Sequence, residues 1–292
     1  MLSSLISKFK DSSVKRDEEI SQIVPLSDCS KECDDCSTKF PSSVKIDDIT
    51  NIYKSSKPTQ IHFIIPTGKS DWESDATSTP NTIENEVSKW INKQTILEDG
   101  VKVSTSSLPF DSTDPRSYKG EVNDVLILPY FIWVKKLELS KVSSVLDELI
   151  PLLIKSRESS SSPPSEIQGF KIEPSNAFSY IFLCSHKTRD KRCGVTAPLM
   201  KKEMDFRLRD TGHYRDIGDD NPNGVYVQYI NHVGGHKYAA NVIIYLKTGE
   251  IIWLAKCTPS NAKPIIDETV LGGGKVWGDL VRCVQKGKAI EW

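Results

Sequence analysis

Two cysteines and two histidines in the second half of the chain have the types and spacing of metal ligands. Eight residues separate Cys184 from Cys193, and His232 and His236 form an H-x₃-H pair. The glycine pair between the histidines favours a tight loop over a helix, because glycine permits backbone conformations that bulkier residues forbid. Two thiolates and two imidazoles suit a zinc ion, and they also suit a [2Fe–2S] cluster in which histidines replace two cysteines.

The spacing of these residues only partly distinguishes the two metals. In a zinc finger the cysteines are typically about 2–4 residues apart, with the histidines about 12–15 residues further on. Here the cysteine spacing is wider, and a predicted helix and strand intervene before His232. Long, charged ligand loops fit a two-iron cluster, which is larger than a single ion. A zinc site, and a set of buried or hydrogen-bonded residues without a metal, stay open as alternatives.

Two segments around these residues resemble the sucrase/ferredoxin-like family. They are Cys-Ser-His-Lys-Thr-Arg-Asp-Lys-Arg-Cys-Gly (184–194) and His-Val-Gly-Gly-His-Lys-Tyr-Ala-Ala-Asn-Val-Ile-Ile-Tyr (232–245). The resemblance implies a thioredoxin-like ferredoxin fold for the C-terminal part, and a bis-histidinyl [2Fe–2S] cluster with Cys184, Cys193, His232 and His236 as its ligands. Thioredoxin-like ferredoxins usually bind their cluster with four cysteines, so the histidine pair departs from that pattern. The sucrase activity in the family name finds no support, since the sequence offers no convergent pair of carboxylates.

A cluster of this kind predicts electron transfer rather than turnover of a substrate. Replacing two thiolates by neutral imidazoles makes the oxidised cluster less negative, which raises its reduction potential. The ligand loop also carries four basic residues, which favour the extra negative charge of a reduced cluster and could form a docking patch for an acidic redox partner. They are Lys187, Arg189, Lys191 and Arg192. The same loop holds His186, which could orient a ligand through a hydrogen bond.

Three further cysteines, Cys29, Cys33 and Cys36, lie close together in a polar segment. Thiols at this spacing could hold a metal or form a switchable disulfide, which leaves a thiol oxidoreductase open as a function. The neighbouring acidic residues disfavour the thiolate, and the sequence offers no fourth ligand nearby. Cys257 and Cys283 are expected to be buried structural residues, at a strand end and in a helix.

The chain ends on Ile290-Glu291-Trp292. An aliphatic residue, an acidic residue and tryptophan in this order resemble the tripeptide by which the cytosolic iron–sulfur assembly targeting machinery recognises its client apoproteins. The resemblance implies that machinery as a partner, and cytoplasmic rather than mitochondrial localisation. A terminal carboxylate beside an indole offers a partner one charge and one large apolar anchor. The alternative is a tail whose indole docks on the protein's own surface.

Composition argues against several other classes of function. Lys and Arg (38) nearly balance Asp and Glu (39), and a net charge of −1 disfavours nucleic-acid binding across the chain. No stretch approaches the ~20 apolar residues of a membrane helix, so no membrane span is expected. The odd number of cysteines (7), with no secretory leader evident, favours a reducing compartment, where clustered Cys and His more often bind metal than form disulfides.

Hydrophobic patterns predict an α/β fold with a mixed sheet and two domains. The expected parts are a flexible polar arm (1–58), an N-terminal α/β domain (59–158) for which a thioredoxin-like fold is one option, a linker (159–168) and a C-terminal domain (169–292). For the C-terminal domain the family resemblance implies the thioredoxin-like ferredoxin fold, with the targeting tail at its end. Both domains begin with a strand, a turn and a helix, although no internal repeat is visible in the sequence. Strands are expected at 60–65, 124–128, 180–183, 225–230, 241–246 and 250–255, and helices at 82–94, 140–155, 196–209 and 275–285.

Overall fold

The computed structural model describes residues 13–216, 218–219 and 221–292. They form a mixed α/β fold with one 11-stranded sheet in the order β11-β10-β9-β7-β8-β2-β1-β3-β4-β6-β5. The strands are β1 (Ile61–Pro66), β2 (Val101–Ser106), β3 (Val122–Leu128), β4 (Ile132–Glu138), β5 (Glu166–Ile167), β6 (Phe170–Pro174), β7 (Ser179–Cys184), β8 (Val225–Ile230), β9 (Val242–Leu246), β10 (Glu250–Leu254) and β11 (Val281–Lys286). The helices are α1 (residues 13–21), α2 (Ile83–Lys93), α3 (Pro115–Tyr118), α4 (Val142–Ser159), α5 (Lys191–Asp210) and α6 (Ala262–Pro264, continued by a π-helical segment, Ile265–Val270).

The sheet consists of two halves with the same topology. In the first half, α2 connects the parallel strands β1 and β2, β3 pairs antiparallel with β1, and β4 pairs antiparallel with β3. In the second half, α5 connects the parallel strands β7 and β8, and β9 and β10 repeat the two antiparallel pairings. In each half a helix and a last strand follow this hairpin. In the first half α4 precedes β6, which pairs with β4, and in the second half α6 precedes β11, which pairs with β10. The halves meet where Ser106 of β2 lies opposite Ile230 of β8.

The parallel pairing of β7 with β8 determines where the site is built. Cys184, the last residue of β7, lies opposite Ile230, the last residue of β8. Because the carboxyl ends of parallel strands meet at one edge of a sheet, the two loops that follow these strands start side by side. One loop leads to Cys193 and the other contains both candidate histidines.

Side chains alternate along the strands between an outer core beneath the helices and a central core that both halves share. On β7, Ile181 and Leu183 belong to the outer core with side chains of α5, whereas Tyr180, Phe182 and Cys184 belong to the central core. The first half contributes further apolar side chains to the central core: Ile64, Leu126, Leu128 and Phe131. The two half-sheets are therefore held together by a common apolar interior as well as by their shared edge.

Most of the predicted strands and helices are confirmed. The helix predicted at 82–94 is α2, and the side chain of its predicted N-cap, Thr82, accepts a hydrogen bond from the backbone of the first turn. The helix α5 begins five residues earlier than predicted. Its start is fixed by Asp190, whose side chain accepts a hydrogen bond from the Arg192 N–H (2.9 Å) and so satisfies a free donor of the first turn.

The helix predicted at 275–285 is wrong. After a short 3₁₀ turn these residues form β11, and Cys283 therefore lies in a strand, opposite Trp253 of β10. The first four residues of β11 are all buried, so both faces of the strand are covered and the usual alternation of apolar and polar residues is absent. The sequence patterns also did not predict β2, β4 and β6.

Residues 13–58, which were expected to form a loosely ordered arm, contribute to the cores. Ile20 (0% exposed) and Val24 (1%) lie in the outer core of the second half, and Ile52 packs against Tyr238. Residues 1–12 of the predicted arm lie outside the described residues. Among the described residues, no helix has both the length and the apolar character needed to cross a bilayer.

Candidate metal centre

The candidate ligands come from four positions at one edge of the second half-sheet. Cys184 ends β7, and Cys193 lies in the first turn of α5. His232 follows β8, and His236 begins a 3₁₀ turn after Gly235, whose positive φ of 71° is readily adopted by glycine. The loop predicted from the glycine pair is therefore present.

The structure brings three of these residues into one compact group, with the fourth beside it. The candidate ligand atoms of Cys184, Cys193 and His232 all lie within 4.8 Å of one another. The distance from Cys184 Sγ to His232 Nδ1 is 3.9 Å, and His232 Nε2 lies 3.5 Å from His236 Nδ1. Two sulfurs and an imidazole at this spacing could bind a metal, and a second imidazole is available next to them.

The four side chains differ in their exposure to solvent. Cys184 (1% exposed) and Cys193 (0%) are buried, His232 is half-buried and His236 is exposed. A metal held by these residues would have an apolar, protein-covered thiolate side and a histidine side that faces solvent. On that side, His236 Nε2 also lies 3.9 Å from a carboxylate oxygen of Asp190.

The two buried thiols shift each other's pKa in opposite directions. A hydrogen bond from Cys193 lowers the pKa of Cys184 well below its usual value, and although burial opposes this shift, His232 and the backbone of Val233 reinforce it. The same contact, together with burial, raises the pKa of Cys193. Cys184 is therefore already disposed to be the thiolate, the form in which cysteine binds a metal.

His186 is buried (1% exposed) and connects the two ligand loops. Its Nδ1 accepts a hydrogen bond from the backbone N–H of His232 (3.1 Å), and its Nε2 lies 3.0 Å from the carbonyl oxygen of Trp72. Since Nδ1 is an acceptor, the proton is on Nε2 and is donated to Trp72. His186 thus positions the backbone of a candidate ligand, a contact through the main chain that the sequence does not reveal.

A loop from the first half of the chain holds the loop between the two cysteines. The Ser185 hydroxyl donates to the carbonyl oxygen of Ser70 (2.6 Å), and Asp71 accepts hydrogen bonds from both the backbone N–H (3.0 Å) and the hydroxyl (2.9 Å) of Thr188. Together with Trp72, these contacts give the first half a direct role in placing the ligand loop. No motif in the sequence signalled this, because the partners are more than 100 residues apart.

The basic residues of the ligand loop do not act as one patch. Arg192 forms an ion pair with Asp190 (2.8 Å), and Arg189 lies within reach of Ser74. Lys187 and Lys191 are exposed. The part of the predicted basic patch that is free to meet a partner is therefore smaller than the sequence suggests.

The other cysteines do not extend this centre. Within the described ranges, only Cys184, Cys193 and His232 form a group of three or more Cys, His, Asp or Glu residues with ligand atoms close enough to hold a metal ion. Cys29 is exposed, and Cys33 and Cys36 are half-buried. Cys257 and Cys283 are buried, as predicted.

The C-terminal residues are docked on the protein. Ile290 is 7% exposed, the Trp292 indole N–H donates to the carbonyl oxygen of Tyr130 (2.9 Å), and Lys247 Nζ donates to the Trp292 oxygen (3.0 Å). The observed arrangement is therefore the alternative prediction, in which the indole of Trp292 docks on the protein's own surface. A partner that reads these residues would have to displace these contacts.

Sequence comparisons identify the family and the relatives of this chain. The chain belongs to the sucrase/ferredoxin-like family, whose profile matches residues 52–283. It is similar to actin patches distal protein 1 of Saccharomyces cerevisiae, with 36% identity over 94% of this chain and 93% of that protein. The resemblance noted from the ligand motifs is thereby confirmed and extends into the first half.

A second group of relatives matches only part of the chain. Altered inheritance of mitochondria protein 32 of Debaryomyces hansenii is 38% identical over 32% of this chain and 31% of that protein. The protein of the same name from Meyerozyma guilliermondii is 34% identical over 32% of this chain and 30% of that protein. No solved structure matches the chain.

Proposed function

We propose that this chain is an electron-transfer protein that carries a bis-histidinyl [2Fe–2S] cluster on Cys184, Cys193, His232 and His236. The observation that carries the proposal is the pair of buried, adjacent thiols beside two neighbouring imidazoles, at the meeting edge of two parallel strands. The cluster would supply a one-electron couple. The chain's own residues would hold it, shield its sulfur side from solvent and leave its histidine side accessible.

The donor set fits such a cluster in both number and type. Each iron takes two protein ligands, and four are present, with thiolate favoured at Cys184 by its hydrogen bonds. The second half-sheet, with its parallel β7–α5–β8 unit followed by an antiparallel hairpin, is the arrangement that we propose to be thioredoxin-like. The first half repeats this topology but has Pro66 where β7 has Cys184, at the end of the first strand.

The exposed histidine side is the proposed contact surface for a redox partner. His236 and Lys237 are exposed there, and Lys187 and Lys191 are exposed on the loop between the two cysteines and at its end, which favours an acidic partner. Asp47 and Asp190 lie in the same region and limit this positive field. Electron exchange on this side would avoid the buried thiols.

The C-terminal tripeptide is proposed as the recognition element for the cytosolic iron–sulfur assembly targeting machinery, with the cytoplasm as the site of function. The word mitochondria belongs to the names of the partial relatives, and the full-length relative does not carry it. The machinery would bind the tail in its undocked form, before or during insertion of the cluster. Redox homeostasis is the corresponding proposed role of the chain.

Anaerobic purification and a redox titration test the proposal. The protein is expected to absorb in the visible range, to contain iron and acid-labile sulfide, and to bleach on one-electron reduction. His232→Cys should lower the reduction potential because it adds a thiolate charge, whereas His213→Cys, outside the centre, should leave the potential unchanged. A colourless protein whose metal is unaffected by dithionite would overturn the proposal.

A zinc-stabilised interaction module is the second candidate, favoured by one observation. Three ligand atoms within 4.8 Å are compact enough for a single ion, and His236 or water could complete a tetrahedral site. Metal analysis of the purified protein separates the candidates, since zinc would be present at one ion per chain without sulfide.

A further inference from the structure

Arg282 of β11 is a buried cation directly beneath the histidine loop. It is 3% exposed, although arginine is rarely buried without a charged partner. Its hydrogen-bond partners are neutral. Nη1 donates to the carbonyl oxygen of Gly234 (3.0 Å) and to Asn241 Oδ1 (2.8 Å), while Nε and Nη2 donate to the hydroxyl and carbonyl oxygens of Ser55 (both 3.1 Å).

None of the ion pairs among the described residues includes Arg282. A buried guanidinium that lacks a carboxylate carries a desolvation cost that neutral acceptors offset only in part. Through the Gly234 carbonyl, this guanidinium lies directly against the loop that carries His232 and His236. The buried positive charge of Arg282 is thus on the side of the candidate metal centre.

The same guanidinium also fixes the turn between the two histidines. It holds the carbonyl of Gly234, and Asn241, which it contacts, donates from Nδ2 to the carbonyl of Gly235 (3.0 Å). A Cβ at position 235 would lie 2.7 Å from the guanidinium carbon, and Gly235 has a positive φ. Glycine at this position therefore allows Arg282 to approach the loop closely.

We propose that Arg282 is a positioning residue of the metal centre that also supplies its buried countercharge: it holds the Gly234–Gly235 turn, and it stabilises the negative charge of the thiolate-bound metal. This rests on the proposed function for the identity of the metal, but the role of Arg282 applies to any metal held by the two thiolates. Because the cation is fixed and shielded from solvent, its effect persists at high salt, unlike that of the exposed lysines.

Two substitutions separate charge from hydrogen bonding. Arg282→Lys keeps the charge and loses most of the contacts, whereas Arg282→Gln loses the charge and keeps part of the contacts. Arg157→Gln is the control for loss of a guanidinium, since Arg157 is half-buried and also donates to a main-chain acceptor, the carbonyl of Lys288. All variants are prepared as the full chain with metal bound.

The reduction potential is expected to fall in Arg282→Gln, to change less in Arg282→Lys and to stay unchanged in Arg157→Gln. A chelator is expected to remove the metal from Arg282→Gln about tenfold faster than from Arg282→Lys, the equivalent of ~1.4 kcal/mol. The chelator assay also reports on zinc, so the failure of the iron assignment and the failure of this inference are distinguishable. Equal potentials and equal rates of metal loss in Arg282→Gln, Arg282→Lys and the unaltered chain would overturn the proposal.

Asn241→Asp tests the charge should Arg282→Gln fail to fold. It keeps the acceptor for Arg282 and gives the guanidinium a carboxylate partner, which neutralises it in place, at the loss of the Nδ2 donor to the Gly235 carbonyl. Asn241→Leu, which loses the same donor without adding a charge, is the control for that loss. The potential is expected to fall without loss of secondary structure. An unchanged potential in folded Asn241→Asp would contradict the role of the buried charge.

Discussion

At the scale of single residues, the sequence predicts candidate ligands, whereas it does not reveal the contacts that support them. The types and spacing of Cys184, Cys193, His232 and His236 suit a metal, and the family resemblance of their motifs implies that they are ligands. The structure places three of them within 4.8 Å of one another and the fourth beside them. His186 and Arg282 contact backbone atoms of the histidine loop. Because every residue except proline carries the same main-chain N–H and carbonyl, the sequence does not indicate which of these groups they contact.

One buried residue outside the group of candidate ligands gives a test of the central core. His62 of β1 is fully buried, with Nδ1 2.7 Å from the Tyr245 hydroxyl of β9 and Nε2 2.9 Å from the Ser104 hydroxyl. Burial, with a smaller contribution from Lys102, lowers the pKa of His62 to about 3. In the unfolded chain, His62 therefore takes up a proton near pH 6.5. In the folded chain it takes up this proton only near pH 3.

The free energy of unfolding is accordingly expected to fall as the pH is lowered. His62 should account for a loss of about 2 kcal/mol between pH 7 and pH 5, which His62→Gln should remove. Urea unfolding of the two proteins in the same metal state measures the difference, because all other titrating groups are common to both. Parallel pH profiles for the two proteins would show that His62 is not buried as a neutral residue.

At the scale of elements, local patterns predicted the strand–helix units, and long-range pairing was missed. The units β1–α2 and β7–α5 could be predicted because each has an apolar run followed by helical spacing. The strand β11 was mistaken for a helix because its identity depends on antiparallel pairing with β10 and on burial of both faces. The contact between residues 70–74 and the ligand loop could not be predicted either, because it joins two loops that are far apart in the sequence.

Weakening that contact should release the metal without unfolding the protein. Asp71→Ala removes two hydrogen bonds to Thr188, and metal loss to a chelator is expected to be about threefold to tenfold faster. Asp75→Ala is the control, since Asp75 caps a turn of the same loop through Thr77 and leaves the ligand loop untouched. Equal rates in both variants would mean that the first half does not help to hold the centre.

At the scale of the whole molecule, the two halves depend on one another although each has its own strand–helix–strand unit. The repeated topology is not visible in the sequence, because the two halves share the order and pairing of their strands but not their side chains. For example, β1 ends on Pro66 where β7 ends on Cys184. The predicted mixed α/β fold is confirmed, whereas the two-domain organisation stays a prediction, and both halves contribute side chains to the central core. That core combines side chains that lie more than 100 residues apart.

A fragment of residues 169–292 is therefore expected to fold poorly on its own. It would expose the central-core face of β7 and β9, including Phe182 and Tyr245, which are fully buried in the intact chain. Gel filtration and binding of a hydrophobic dye should show association and exposed apolar surface. A full-length chain cut within residues 159–165 should instead stay together, and a monomeric, metal-loaded fragment would contradict the shared core.

The most direct test of the central claim is the count of iron and acid-labile sulfide per chain, measured in anaerobically purified protein. We predict two of each in the unaltered chain and in Cys257→Ser, whose thiol is equally buried but lies outside the group of ligands, and a loss of both in Cys193→Ser. Iron and sulfide that persist in Cys193→Ser, or a single zinc ion without sulfide in the unaltered chain, would contradict the assignment.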